Sequence, residues 1–227
     1  MKKIVLLFVM LLSFNLSFAD RGSIPFRPGV KIFEPNQRAI LAWNGYKQIL
    51  LLSTDLYSSQ PTKVLEVLPL PSEPKVKKGS IESFKVATRI INRSRFRVSN
   101  RFGFRRGLSR NGGRRPAGEV TFSKKIGAHD ISVAKVLDGN GFTNWVQKYL
   151  KSKGVNTPKI PKPLQNVIKE YIKEGFKWFV FDVVKLGTRR VTNDAIQYTF
   201  RTNKLYYPLK ITKTETGFTR VNLIVLT

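Results

Sequence analysis

AILAWNGYKQILLLSTDL, residues 39–56, and KVLEVLPLPSEP, residues 63–74, are the stretches that decide the fold of this chain. In the first, two apolar runs meet at Asn44 and Gly45, the strongest local signal for a β-hairpin, because a type I′ turn needs positive φ at both central residues. In the second, a run of apolar residues meets Pro69, which has no N–H to donate to a central strand. The sequence therefore predicts a hairpin followed by a third strand that leaves the sheet at Pro69.

Hydrophobic periodicity over the rest of the chain alternates between strand and helix. Apolar residues spaced by three and four predict a helix over residues 80–92, one from Phe142 to Gly154 and one from Pro161 to Gly175. Alternating or continuous apolar runs predict strands over residues 30–34, 38–43, 46–54, 63–68, 119–122, 130–138, 176–186, 195–202, 205–212 and 218–226. Strands, helices and further strands in this order predict an α+β fold with a mostly antiparallel sheet and about three helices.

The N-terminus has the three parts of a secretory signal peptide. Lys2 and Lys3 precede an apolar run over residues 4–12, and small residues follow at positions 17 and 19. We therefore predict a signal peptide over residues 1–19, cleaved before Asp20, and a periplasmic or secreted location. An uncleaved anchor is the alternative, but the run is shorter than the about 20 residues of a spanning helix.

The charge of the chain is strongly positive, with 41 Lys and Arg against 14 Asp and Glu and a formal net charge of +27. Cleavage of the signal peptide would leave +25, because only Lys2 and Lys3 are lost. Such a surface favours anionic partners, namely an anionic polymer, lipid head groups or an acidic envelope protein. Export argues against an intracellular nucleic acid. The chain has no cysteine, which excludes disulfides, zinc–thiolate sites and a thiol nucleophile, and no cofactor is predicted.

Residues 93–118 are rich in Arg and Gly and contain no acidic residue. We predict a flexible insertion here, which divides a single α+β domain into residues 20–92 and residues 119–227. Arginine beside phenylalanine and glycine is typical of segments that follow anionic backbones, and the alternative is a solvated insertion with no dedicated ligand. The predicted binding residues are Arg93, Arg95, Arg97, Arg101, Arg105, Arg106, Arg110, Arg114 and Arg115.

Catalytic signals are few. His129 is the only histidine, so it either acts with carboxylates or is a structural or exposed residue. Glu66 lies within a predicted strand, where a carboxylate is either a site residue or faces solvent. No nucleophile elbow, phosphate-binding loop or zinc-protease motif is present. We therefore favour a non-enzymatic binding or structural domain over the alternative, an envelope hydrolase in which His129 meets Glu66 or Asp182. The other carboxylates that could join such a site are Glu34, Asp55 and Asp130.

A third interpretation rests on Pro208, which lies within one of the predicted strands. Proline is confined to edge strands and bulges in a sheet. An open edge at Pro208 would allow the chain to pair with other subunits of a surface assembly.

Several short motifs together resemble the exported bacterial and archaeal proteins catalogued as domain of unknown function 2330. In the N-terminal half they are EPNQRA at residues 34–39 and KVLEVLPLP at residues 63–71. In the C-terminal half they are His129-Asp130, the helix containing Trp145, residues 171–183 with the turn GFKW, and YYPL at residues 206–209. The resemblance covers nearly all of the mature chain except the arginine-rich stretch. It implies export and a shared fold, and it carries no particular activity.

Overall fold

The computed structural model describes residues 22–94, 117–156, 158–214 and 219–227. Its elements in chain order are β1 (Gly22–Pro25), β2 (Ile32–Trp43), β3 (Lys47–Ser58), β4 (Thr62–Leu70), β5 (Lys75–Lys78), α1 (Glu82–Ser94), β6 (Gly118–Ile126), β7 (His129–Val136), α2 (Phe142–Ser152), α3 (Lys162–Lys173), β8 (Trp178–Leu186), β9 (Val191–Thr192), β10 (Ile196–Arg201), a 3-10 helix (Leu209–Thr214) and β11 (Arg220–Leu226). Three helices and mainly antiparallel strands confirm the predicted α+β class.

The strands form two sheets. The first sheet has the order β1-β4-β8-β7-β6 and is antiparallel throughout. The second sheet has the order β11-β2-β3-β10-β5, with β9 beside β3, and only its pairing of β11 with β2 is parallel. Each sheet thus combines strands that precede residues 95–116 with strands that follow them. The division into one domain with an insertion remains a prediction.

The predicted hairpin between β2 and β3 is confirmed and lies in the second sheet. Gly45 has φ 84°, a conformation that favours glycine. Asn44 Oδ1 accepts hydrogen bonds from the backbone N–H groups of Tyr46 at 3.2 Å and Lys47 at 2.8 Å. The turn is therefore closed both by the backbone freedom of glycine and by the side chain of asparagine.

The two sheets pack face to face, and helices cover both outer surfaces. Leu50 and Leu52 of β3 face the first sheet, while Leu51 packs with Ala87 of α1. Both faces of β3 are therefore covered. On the outer surface of the first sheet, α2 and α3 pack against alternate residues of β4 and β8. The order of layers is therefore α1, second sheet, first sheet, then α2 with α3.

Aromatic rings join α2 to the first sheet. The ring of Phe181 in β8 lies 5.2 Å from that of Tyr149 and 6.2 Å from that of Trp145, measured between centroids. Phe142 at the start of α2 lies 5.2 Å from Phe179 and is fully buried. Packed aromatic pairs of this kind contribute beyond the area they bury. They fix α2 in one position on the sheet.

Three expectations about strands are wrong. The strand predicted over residues 205–212 is a loop followed by the 3-10 helix, and Pro208 is buried in that loop rather than at a sheet edge. Tertiary contacts hold the loop, since Gln48 bonds both the N–H and the C=O of Tyr206. Pro208 therefore does not lie at a sheet edge, and the interpretation that the chain pairs there with other subunits of a surface assembly loses its support.

The other two corrections concern strand ends. Residues 30–34 do not form a separate strand, because β2 continues through a bulge between Phe33 and Asn36. The strand β4 continues through Pro69 to Leu70. Pro69 still lies opposite Phe179 of β8, but β1 pairs only with residues 64–67, so proline is tolerated because β4 has no paired strand on that side at Pro69.

Candidate functional site

The predicted arginine site lies almost entirely outside the described residues. Of Arg93 only the backbone is described, in the last turn of α1. The others, which lie outside, are Arg95, Arg97, Arg101, Arg105, Arg106, Arg110, Arg114 and Arg115. Their role in binding stays a prediction.

The residues of the alternative hydrolase meet between the two sheets. Glu66 of β4 and Asp182 of β8 are direct cross-strand partners, and they are 1% and 2% exposed. His129 of β7 is 3% exposed, and its Nδ1 lies 2.6 Å from Asp182 Oδ2. Two of the three predicted residues therefore share a hydrogen bond. The expectation that Glu66 faces solvent is wrong, because the second sheet covers this face of β4.

This buried cluster has the contact that an acid–base pair needs and lacks access for a substrate. A general base must come within hydrogen-bond reach of the proton that it removes. Glu66, His129 and Asp182 are each no more than 3% exposed, so a substrate cannot reach them in this structure. Among those residues, no group of three or more His, Asp or Glu side chains is placed to hold a metal ion. We therefore assign the pair a structural role, joining β7 to β8.

Three other carboxylates considered from sequence are also held in contacts. Glu34 is 4% exposed and accepts a hydrogen bond from Gln37 at 2.8 Å. Asp130 points to the opposite face from His129, as neighbours in a strand must, and pairs at 3.0 Å with Lys153, the residue that follows α2. The third, Asp55, anchors a cluster of its own.

Asp55 lies on the outer face of the second sheet with its side chain 4% exposed. Its carboxylate accepts hydrogen bonds from Arg38 at 3.0 Å, Thr192 at 2.7 Å and Asn36 at 3.1 Å, and Arg190 also binds it. Burial raises the pKa of Asp55, but the bonds from Arg190, Thr192 and Asn36 and the charge of Arg38 outweigh it, so the pKa lies below its usual value. The group is saturated with donors and joins β2, β3 and β9.

The lowered pKa of Asp55 predicts a loss of stability in acid. A carboxyl whose pKa is lower in the folded protein stabilises it above the unfolded pKa, about 3.9. That contribution is lost as the pH falls through the folded value. Urea titrations at pH 7, 5 and 3 should show that wild type loses more free energy of unfolding below pH 5 than Asp55→Asn does. Equal losses in the two proteins would contradict the assignment, and Glu119→Gln at an exposed position is the control.

A basic groove opens beside α2, on the outer side of the helix layer, with a volume of about 1030 Å³. We call it the α2 groove. One wall is the exposed side of α2, and the other is formed by Pro25 at the end of β1 and by residues 26–29 of the loop that leads to β2. Its described lining residues are Pro25, Phe26, Pro28, Gly29, Asn144, Gln147, Lys148, Lys151, Asn156, Pro158, Lys159 and Pro161. Three are lysines and none is a carboxylate.

A second groove of about 610 Å³ adjoins the first and shares Phe26, Pro28 and Asn156 with it. We call it the strand-end groove, because Lys63 and Lys185 line it near the ends of β4 and β8. Arg27 is its third cation, and again its described lining contains no carboxylate. Lys63 and Lys185 are direct cross-strand partners. Like charges in such positions repel each other and destabilise a sheet.

The cations of the two grooves are exposed and have no ion-pair partner within the part of the chain that the structure describes. They are Arg27, Lys63, Lys148, Lys151, Lys159 and Lys185. Sequence reasoning missed this surface. The only local signal was lysine at positions 148 and 151 on the polar face of a predicted helix, which also fits an ordinary solvated face.

Comparison with known proteins gives one extensive match. The family model described as "Uncharacterized protein conserved in bacteria (DUF2330)" matches residues 19–227. No curated protein matches the chain. Among solved structures, the crystal structure of baculovirus P35 is similar with a TM-score of 0.46 and 12% sequence identity, over 78% of this chain and 57% of that chain. The chain thus spans little more than half of the P35 chain, and a likeness at this level carries no argument about function.

Proposed function

The chain belongs to this family of uncharacterized proteins conserved in bacteria, and we propose that it is a non-enzymatic binding protein. It acts outside the cytoplasm and holds anionic polymers beside α2. One observation carries the proposal. Two adjoining grooves contain six exposed cations and, among their described residues, no carboxylate.

The arrangement of the charges supports this assignment more strongly than the net charge alone does. Some exposed lysines elsewhere in the described chain have carboxylate partners, such as Lys85 with Glu82 and Lys78 with Asp194, whereas none of the six groove cations has one among the described residues. Concave surfaces lined by one sign of charge raise the local concentration of oppositely charged ligands. A bound anion would also relieve the repulsion between Lys63 and Lys185. The grooves therefore suit a polyanion better than they suit solvent alone.

The extracytoplasmic location rests on the signal peptide predicted for residues 1–19. Within the described ranges, none of the helices has the length and apolar character of a membrane span. Cleavage before Asp20 can be tested by N-terminal sequencing of protein recovered from the cell envelope or the medium. A first residue other than Asp20 would contradict the predicted cleavage site.

The proposal predicts that removing the lysines of the α2 groove weakens retention on heparin. The triple variant Lys148→Gln, Lys151→Gln, Lys159→Gln should elute at clearly lower salt than wild type, because fewer counter-ions are exchanged on binding. The matched control is Lys77→Gln, Lys124→Gln, Lys125→Gln, which removes the same charge from exposed positions outside both grooves. Equal shifts in the two triples would show that retention follows net charge and not the groove.

The arginine-rich segment is tested in the same assay, because it remains a second predicted contact for the anionic partner. Deleting residues 94–115 should lower the salt needed for elution further if the segment contributes. If the deletion leaves retention on heparin and on anionic liposomes unchanged, the arginine-rich segment has no role in binding, and the grooves remain as the proposed binding surface.

A further inference from the structure

The two grooves lie on either side of one ridge, formed by residues 26–29 of the loop between β1 and β2. We propose that the ligand is an acidic polysaccharide that crosses this ridge and occupies both grooves at once. The inference rests on the proposed function and goes further, because it names the ligand class and requires a minimum chain length.

The ridge is a fixed part of the fold. Phe26 N–H donates a hydrogen bond to the backbone oxygen of Lys63 at 2.9 Å, and the Phe26 side chain packs against the core beneath α2 and α3. Gly29 has φ 79°, which lets the chain turn back toward β2. On the far side, Lys31 N–H donates to Ser59 Oγ at 3.0 Å. A ligand therefore meets two preformed grooves with a constant spacing.

The cations are divided equally between the grooves. Lys148, Lys151 and Lys159 line only the α2 groove, and the strand-end groove has its own three, Arg27, Lys63 and Lys185. A small anion would neutralise one group and leave the other exposed. A chain with repeated negative charges can contact both groups of cations at once. After one groove is occupied, the contact with the other is intramolecular, which can raise the affinity by about 100-fold or more.

The remaining lining favours a polysaccharide over a single-stranded nucleic acid. Proteins that hold single strands stack successive bases on aromatic rings, whereas Phe26 is the only aromatic residue among the described lining of either groove. Asn144, Gln147 and Asn156 present amides, which both donate and accept hydrogen bonds and so match hydroxyl groups.

The test is a length series of an acidic oligosaccharide, heparin fragments from two to sixteen sugars, titrated against the full chain. Wild-type affinity should rise steeply, by about 100-fold, between fragments that fill one groove and fragments that reach both. Either triple variant, Lys148→Gln with Lys151→Gln and Lys159→Gln, or Arg27→Gln with Lys63→Gln and Lys185→Gln, should abolish that rise and leave the weak binding of short fragments to the other groove. Thermal melting of each variant checks that it is folded.

The outcomes separate the two proposals. A rise with length that persists in both triple variants would overturn the two-groove inference while leaving anion binding intact. Tight binding of polyphosphate or single-stranded DNA with no binding of the fragments would overturn the polysaccharide class. Failure of every polyanion to bind wild type would overturn the proposed function itself.

Discussion

Replacing His129 with alanine is expected to lower the free energy of unfolding by about 3–5 kcal/mol. The imidazole lies between the sheets, and its Nδ1 bonds Asp182 Oδ2 at 2.6 Å. Its loss would leave the Asp182 carboxylate buried without this donor and directly opposite Glu66, another buried carboxyl. Desolvated groups that lose a partner keep the full cost of burial. Urea denaturation followed by circular dichroism measures the change.

The matched variants show whether the hydrogen bond carries the effect. His129→Asn keeps an N–H donor near the position of Nδ1 and should lose less stability than alanine does. Lys124→Ala on the neighbouring strand should change stability by no more than about 0.5 kcal/mol. An alanine variant as stable as wild type would contradict the structural role. Retention of the folded fraction on heparin should be unchanged, since His129 lies outside both grooves.

Replacing Phe181 with alanine is expected to cost about 3–5 kcal/mol as well, through a cavity and not through a lost polar partner. The ring is fully buried and lies within 6.4 Å of the rings of Phe142, Trp145 and Tyr149, measured between centroids. Phe181→Leu keeps most of the volume and should cost no more than about 1.5 kcal/mol.

The Phe181→Ala variant also tests whether packing beneath α2 affects binding at the grooves. The rings that it supports belong to α2, and the opposite face of that helix presents Lys148 and Lys151. We therefore expect the folded fraction of Phe181→Ala to elute from heparin at lower salt than wild type, whereas the His129 variants should not. An unchanged elution would mean that α2 keeps its place without this ring.

The sequence predicted well those elements whose signals are local. The Asn44-Gly45 turn and the glycines that end α2 and α3 have backbone requirements that can be read from two or three residues, and Gly154 and Gly175 indeed have φ 94° and 91°. The burial of Glu66 was missed because it depends on the second sheet, which is formed by distant segments. The strand predicted over residues 205–212 failed for a related reason, since Gln48 holds that segment in a loop.

The candidate site could not be predicted because no contiguous segment contains it. The α2 groove combines the loop before β2, the polar face of α2 and the connection to α3. Each piece alone has the composition of ordinary surface. The repulsive pair of Lys63 and Lys185 appears only when β4 and β8 are placed in register.

The interleaving of early and late strands in both sheets has a kinetic consequence. The β2–β3 hairpin can form from neighbouring residues, but its inner face stays open until β7 and β8, which follow residues 95–116 in the chain, pack against it. The pairing of Asn36 with Arg220 closes the second sheet with one of the longest loops that the chain allows. Because loop closure must precede these contacts, folding should be slow compared with that of proteins whose contacts are mainly local. The rate will be limited by joining the two parts of the chain, and shortening the arginine-rich connection between them should speed that step.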